Sequence, residues 1–189
     1  MKKRFFTLIE IIAVIAIIAI LAGLTVGVSS LVMRKSADTK TTAAIKYVEM
    51  ALEKFKKDNG YYPSSHNGGL DTLKFVKNPA ETSNDFLLSK CFDEKFRSAN
   101  TQSITISGKE YLYIVDGYGN PMIYRSPGYF NKGKYDFGSV GKDKRIGDGA
   151  SSEVASPDSD GHFSSSLDTP YKAYFGQGDD VVNFTVKQQ

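Results

Sequence analysis

The sequence predicts an α+β protein in which a long N-terminal helix, membrane-spanning in its first half, packs through its second half on a small antiparallel β-sheet. Three observations predict it. Residues Ile11 to Met33 contain no ionisable side chain, residues 36–57 repeat apolar side chains at spacings of three and four, and the chain beyond residue 103 breaks into short β-rich runs separated by turn residues.

A chain of 189 residues accommodates one anchor and one domain, because a single core grows efficiently at roughly 100–150 residues. The net charge of +3 and the pI near 8.8 are mild. Lys and Arg are scattered and form no stripe with interleaved aromatics, so nucleic acid is not an expected partner. Cys91 is the single cysteine, which excludes an internal disulfide and any CxxC redox or zinc motif. It reads as a small buried apolar residue. The head must therefore be held by its core, or by its core and a metal.

The first segment carries most information. Lys2, Lys3 and Arg4 precede Phe5-Phe6-Thr7-Leu8-Ile9-Glu10, and the uncharged stretch Ile11–Met33 follows. As a helix those residues reach about 35 Å, enough for a hydrocarbon core of about 30 Å. A cleaved secretory signal has an apolar region of only about 7–15 residues. Ala13, Ala16, Ala19 and Ala22 recur every third residue, and Gly23 to Gly27 adds a GxxxG spacing; small residues of this kind allow close helix packing. The positive charges ahead of the span place the N-terminus in the cytoplasm. Glu10 has two readings at the edge of the span. It lies among lipid headgroups, or it meets a cation inside a helix bundle and sets the register between neighbours.

Arg4-Phe5-Phe6-Thr7-Leu8-Ile9-Glu10 with the Ile- and Ala-rich run to Ala22 resembles the signal of type IV prepilins and type II secretion pseudopilins. The resemblance implies a pilin-like fold, cleavage by prepilin peptidase between Phe5 and Phe6, N-methylation of Phe6, and pairing of Glu10 with a neighbour's terminal ammonium during assembly. Phe5 stands where the family usually has Gly, and the helix-breaking proline usual within the span is missing, that region reading Gly27-Val28-Ser29-Ser30.

Beyond the span, Ala44, Ile45, Val48, Ala51, Leu52 and Phe55 form one helix face. Glu53 and Lys57 stand four apart in the favourable order. Asp58-Asn59-Gly60 ends the helix, with Pro63 after it. The stretch from Asp58 to Leu73, then Asp116-Gly117-Tyr118-Gly119-Asn120-Pro121, Tyr135 to Asp143, and Gly178-Asp179-Asp180-Val181-Val182-Asn183-Phe184 resemble successive parts of the major pseudopilin of type II secretion. Residues 74–110 and 146–176 have no counterpart in that resemblance.

From pattern alone, Ser103–Ser107 and Tyr111–Val115 read as a hairpin around Gly108-Lys109-Glu110, and Pro121–Tyr124, Tyr135–Val140 and Val181–Val186 as further strands. Asp143, Asp148, Asp158, Asp160, Asp179 and Asp180 crowd a Gly- and Ser-rich region, the composition of a solvated acidic loop or of an oxygen-ligand cation site. Residues 157–161 match only the start of an EF-hand loop, and Leu167 occupies the place of the closing Glu. The resemblance implies instead a calcium site made by the backbone near Val140 and the side chains of Asp143, Asp179 and Asp180, although the connection 146–176 is longer than the family's.

No HExxH, Gly-x-Ser-x-Gly or phosphate-cradling glycine loop occurs. His66 and His162, the two histidines, read as solvated loop residues, and the chain reads as a non-enzyme. The expected organisation is a leader, residues 1–5; a polymerisation helix, residues 6–35; and an extracytoplasmic head, residues 36–189, with helix 36–57, a variable segment 58–102 and a β region 103–189. The resemblance implies a single-pass subunit of the cytoplasmic (inner) membrane with a periplasmic head. Its expected partners are the bilayer, prepilin peptidase, minor pseudopilins, an inner-membrane assembly platform and its own copies in a helical filament. A surface or DNA-uptake pilus subunit and a monomeric anchored binding module are the alternatives.

Overall fold

Helix α1 runs Leu8–Asn59 without interruption. A computed structural model of the chain describes residues 7–77, 88–147, 153–154 and 156–184 and, of residues 24–29, the helical backbone alone. The chain divides into two units, Met1–Ala37 and Asp38–Gln189. α1 ends where the sequence places its stop: Gly60 has φ +87°, and its N–H donates to the Lys56 carbonyl at 2.7 Å.

In the second unit the predicted helix face is the buried one. Ala44, Ile45, Val48, Ala51, Leu52 and Phe55 join Leu73, Phe75, Phe92, Phe96, Ile114, Met122, Tyr124, Tyr135 and Phe137 in one core. Tyr47 of the same helix stacks on Phe96 at 4.3 Å, and Phe92 continues the column to Phe75 at 4.7 Å. After α1 come β1 (Asp71–Thr72), β2 (Lys74–Val76), α2 (Glu94–Asn100), β3 (Thr101–Ile106), β4 (Lys109–Ile114), β5 (Ile123–Arg125), β6 (Asp136–Ser139), α3 (Asp168–Tyr174) and β7 (Val181–Val182). Asp93 caps α2, its carboxylate accepting the Phe96 N–H at 2.7 Å.

The strands form two antiparallel sheets where one was expected. One has the order β1-β5-β6-β7 and the other β2-β4-β3. The β3–β4 hairpin is present, but its turn lies at Ser107-Gly108, both with positive φ, and Ile106 pairs with Lys109. That two-residue geometry suits the twist of the strands, so Lys109 and Glu110, read as turn residues, belong to β4.

Alternation along β5 gives the four-stranded sheet two covered faces. Met122 and Tyr124 enter the core under α1, while Ile123 points into a second cluster with Leu70, Val140, Ile146, Val154, Phe163, Leu167, Tyr171 and Phe175. Ile146, Val154, Phe163, Leu167, Tyr171 and Phe175, from the segment expected as a long connection, thus pack a layer on the sheet. It lies flat because Gly138 of β6 has no side chain: a Cβ there would stand 2.9 Å from the Phe175 ring and 2.7 Å from the Val181 carbonyl.

Candidate functional site

At the head of α1, Thr7 and Glu10 form a reciprocal capping box. The Thr7 N–H and hydroxyl donate to Glu10 Oε2 at 2.8 and 2.9 Å, and the Glu10 N–H lies 3.4 Å from Thr7 Oγ1. The Thr-x-x-Glu spacing was legible in the sequence and signals a helix start, a role sequence reasoning did not assign to Glu10. Phe5 and Phe6 lie outside the described residues. On both sides of Glu10 the helix surface is apolar and uncovered: Leu8, Ile9, Ile12, Ile15, Ile18 and Leu21 are each more than half exposed. Among the described residues no helix is long and apolar enough to cross a membrane; the expected span Ile11–Met33 includes residues 24–29, whose side chains lie outside them.

The acidic region gathers at the end of β6. Asp116 organises its approach, with Oδ1 accepting the Tyr118 and Asn120 N–H groups, both at 2.8 Å, and Oδ2 accepting the Ser139 hydroxyl at 2.6 Å. Asn120 then donates its side-chain amide to the Gly141 carbonyl at 3.0 Å. Val140 is buried in the second cluster. Gly141, at φ +69°, lets the last loop approach, since a Cβ there would stand 2.4 Å from Asp179 Oδ2. That same oxygen accepts the Lys142 N–H at 2.9 Å, while Asp143 turns back on the Arg145 N–H at 2.8 Å.

Asp180 is the half-buried member of the set, Asp143 and Asp179 being exposed. Its Oδ2 accepts the N–H groups of Gly147 and Gly176, both at 2.9 Å, whereas Oδ1 is buried and has no hydrogen-bond partner. Burial foremost, with the Asp179 and Asp143 charges adding to it, pushes this carboxyl up to about 7 against the pull of the two amides. An orphaned buried carboxylate oxygen flanked by two more carboxylates and a backbone loop is a donor set that fits a hard, oxygen-preferring cation. Among the described residues no group of three or more His, Cys, Asp or Glu side chains is placed to hold a metal ion, so carbonyl or water oxygens would have to supply the rest of the shell. Asp148, also counted in the acidic region, lies outside the described residues. Asp158 belongs elsewhere, with its Oδ1 accepting the Asp160 and His162 N–H groups.

His66 is exposed, as expected of a loop residue, whereas His162 is half-buried and the two meet. Their rings lie 4.5 Å apart, and His162 Nδ1 contacts Asp71 Oδ1. No spacing in the sequence could show this, because the pairing comes from a bridge between Asp71 and His162 in the folded chain.

Residues 31–156 match the family described as type II secretion system (T2SS), protein G. The chain is also similar to the type II secretion system core protein G of Pseudomonas aeruginosa PAO1, with 36% identity over 147 residues that cover 75% of this chain and 85% of that protein. No solved structure matches the chain at a significant level.

Proposed function

The chain belongs to the type II secretion system protein G family, and we propose that it is a structural subunit of a secretion pseudopilus that polymerises through α1 and so helps to export folded proteins. The observation that carries the mode of assembly is the apolar, uncovered first part of α1 headed by Glu10. A helix apolar all round needs lipid or other helices around it. In the membrane, lipid covers the run; in the filament, neighbouring helices do. Stored subunits are then single-pass proteins of the inner membrane with the head outside the cytoplasm, and prepilin peptidase, minor pseudopilins and the assembly platform are their partners.

Glu10 ties the two states together. The contacts to Thr7 converge on Oε2, and a carboxylate has further acceptor sites for a neighbour's terminal ammonium. Breaking one side of a buried ion pair costs about 3–5 kcal/mol. Glu10→Gln keeps an oxygen for the Thr7 cap and removes the charge. This variant is expected to yield no filaments while its helix content and head melting stay at parental values. Normal filaments from Glu10→Gln and Glu10→Ala would end the assembly role. The mass of the N-terminal peptide tests processing: a methylated Phe6 supports it, and an intact Met1 favours an anchored monomer.

Calcium is the cation that the Asp180 site fits, with the Val140 carbonyl, Asp143, Asp179 and Asp180 holding it. Its charge would satisfy Asp180 Oδ1 and tie the final loop to the end of β6. Saturation at a hundred times Kd stabilises by about 2.7 kcal/mol, or roughly 5–11 °C for a domain of this size. Chelation is expected to lower the melting temperature by that amount and Asp180→Ala to abolish the response. A head indifferent to chelator rules the site out.

A further inference from the structure

We propose that His66 and His162 form a two-imidazole site for a borderline transition-metal cation of the Zn2+ or Cu2+ class, with Asp71 as the carboxylate that positions both ligands. Asp71 is buried on β1, and its two oxygens divide the work. Oδ1 meets His162 Nδ1, and Oδ2 accepts the backbone N–H of His66. A carboxylate on Nδ1 selects the tautomer whose Nε2 carries the lone pair, which is the outer contact that metal-binding histidines use. His66 Nε2 lies 2.9 Å from the Asn67 side-chain amide nitrogen, a donor that favours the tautomer with the lone pair on Nε2 and that an incoming cation would displace.

Both histidines are anchored through their backbones. The Phe163 N–H donates to the Leu70 carbonyl and the Thr72 N–H to the Gly161 carbonyl, each at 3.0 Å. Asp158 Oδ1 accepts the His162 N–H at 2.8 Å. The rings lie 4.5 Å apart and tilted by 31°, with the His162 side chain 25% exposed, so a cation can reach them from solvent. The charge around them favours a cation, since Asp71 Oδ1 contacts the His162 ring and Asp158 accepts the His162 backbone N–H, while the Lys74 ammonium is turned to the Asp160 carbonyl.

Imidazole selects borderline metals, whereas the all-oxygen set at Asp180 suits calcium. Among the described residues no group of three or more His, Cys, Asp or Glu side chains is placed to hold a metal ion, so the site would consist of the two imidazoles, with water or an incoming group at the remaining positions. The cation is therefore exchangeable and unlike a closed structural zinc.

The test is isothermal titration of Zn2+ and of Cu2+ into the detergent-solubilised full-length chain, prepared without a polyhistidine tag and saturated with Ca2+. One cation per chain is expected to bind, and His66→Ala and His162→Ala are each expected to abolish binding. Asp71→Asn should weaken it roughly 10–100-fold. His66 is exposed, so His66→Ala keeps the test meaningful even if the other variants melt early. Absence of saturable binding, binding that persists in either histidine variant, or an unaltered Asp71→Asn titration overturns the proposal.

Discussion

Asp136 offers the sharpest test of how the head is built, because its carboxylate is fully buried and ties β6 to the 129–131 loop and to α3. Its Oδ2 accepts the N–H groups of Tyr129 and Phe130 at 2.7 and 2.9 Å and the Tyr171 hydroxyl at 2.6 Å, and its Oδ1 accepts the Asn131 N–H at 2.8 Å. Gly128 makes room for the group, as a Cβ there would stand 2.7 Å from Oδ1. The Tyr171 phenol is driven to a higher pKa, by burial first and by the Asp136 charge second, which keeps it a donor.

A hydrogen bond to a charged group contributes about 1.5–3 kcal/mol. Four of them do not add, because the three amides are only part-buried and regain water when the carboxylate is removed. Tyr171 is fully buried and cannot. Counting the Tyr171 bond in full and the three amides together as one more gives about 3–6 kcal/mol for Asp136→Ala, or a fall in melting temperature on the order of 10 °C. Tyr171→Phe removes that one bond to the carboxylate and leaves the loop bonded, so about 1.5–3 kcal/mol is expected. Urea unfolding followed by near-ultraviolet dichroism of the tyrosines reads both. If Asp136→Ala proves no worse than Tyr171→Phe, the loop amides draw nothing from the carboxylate and the reasoning fails.

Gly141→Ala should destabilise the head and weaken its response to chelator, since the new methyl meets Asp179 Oδ2 at 2.4 Å in a left-handed backbone at φ +69°; a parental melting curve with and without chelator would refute this. Asp168 supplies a pH dependence. Its carboxyl is held below the ordinary 3.8 by the Lys172 ammonium foremost and by Arg125 as well. A depressed folded value means stabilisation present above the unfolded pKa and lost as pH falls through the folded one. Asp168→Asn should therefore melt earlier than the parent at neutral pH by a small, salt-sensitive margin that closes below about pH 4. A margin constant from neutral pH to pH 2 would exclude the ion pair as its source.

The long helix was legible because burial and sequence share one period there. Six apolar positions between Ala44 and Phe55 all enter the core, and Gly60 ends α1 in a conformation that favours glycine. Strand ends were less legible. β1 and β2 have only two and three residues, too short for alternation to declare itself. At the acidic region, composition narrowed the choice to a solvated loop or a cation site, and only the folded chain singles out Asp180 through its orphaned oxygen. The partnership of Asp71 with both histidines depends on tertiary contacts alone, and no local pattern encodes it.

The segment 146–176 carried a signal that a loop reading overlooked. Phe163, Leu167, Tyr171 and Phe175 recur every fourth residue, and all four are buried on the outer face of the four-stranded sheet. Without them Ile123 and Val140 would face water from strands whose opposite face already serves the α1 core. A sheet with one face on a helix can leave its other face polar; this one has Ile123 and Gly138 there, so it requires a cover. The cover reaches the sites as well: α3 delivers Tyr171 to Asp136, Tyr174 closes on Gly147 beside Asp180, and the strand-like pass at Gly161 brings His162 to Asp71. Truncating Phe175 to Ala should thus cost the 3–5 kcal/mol typical of a buried Phe and loosen the Asp180 loop with it. Melting of that variant with the calcium response intact would show that the added layer and the cation site are energetically independent.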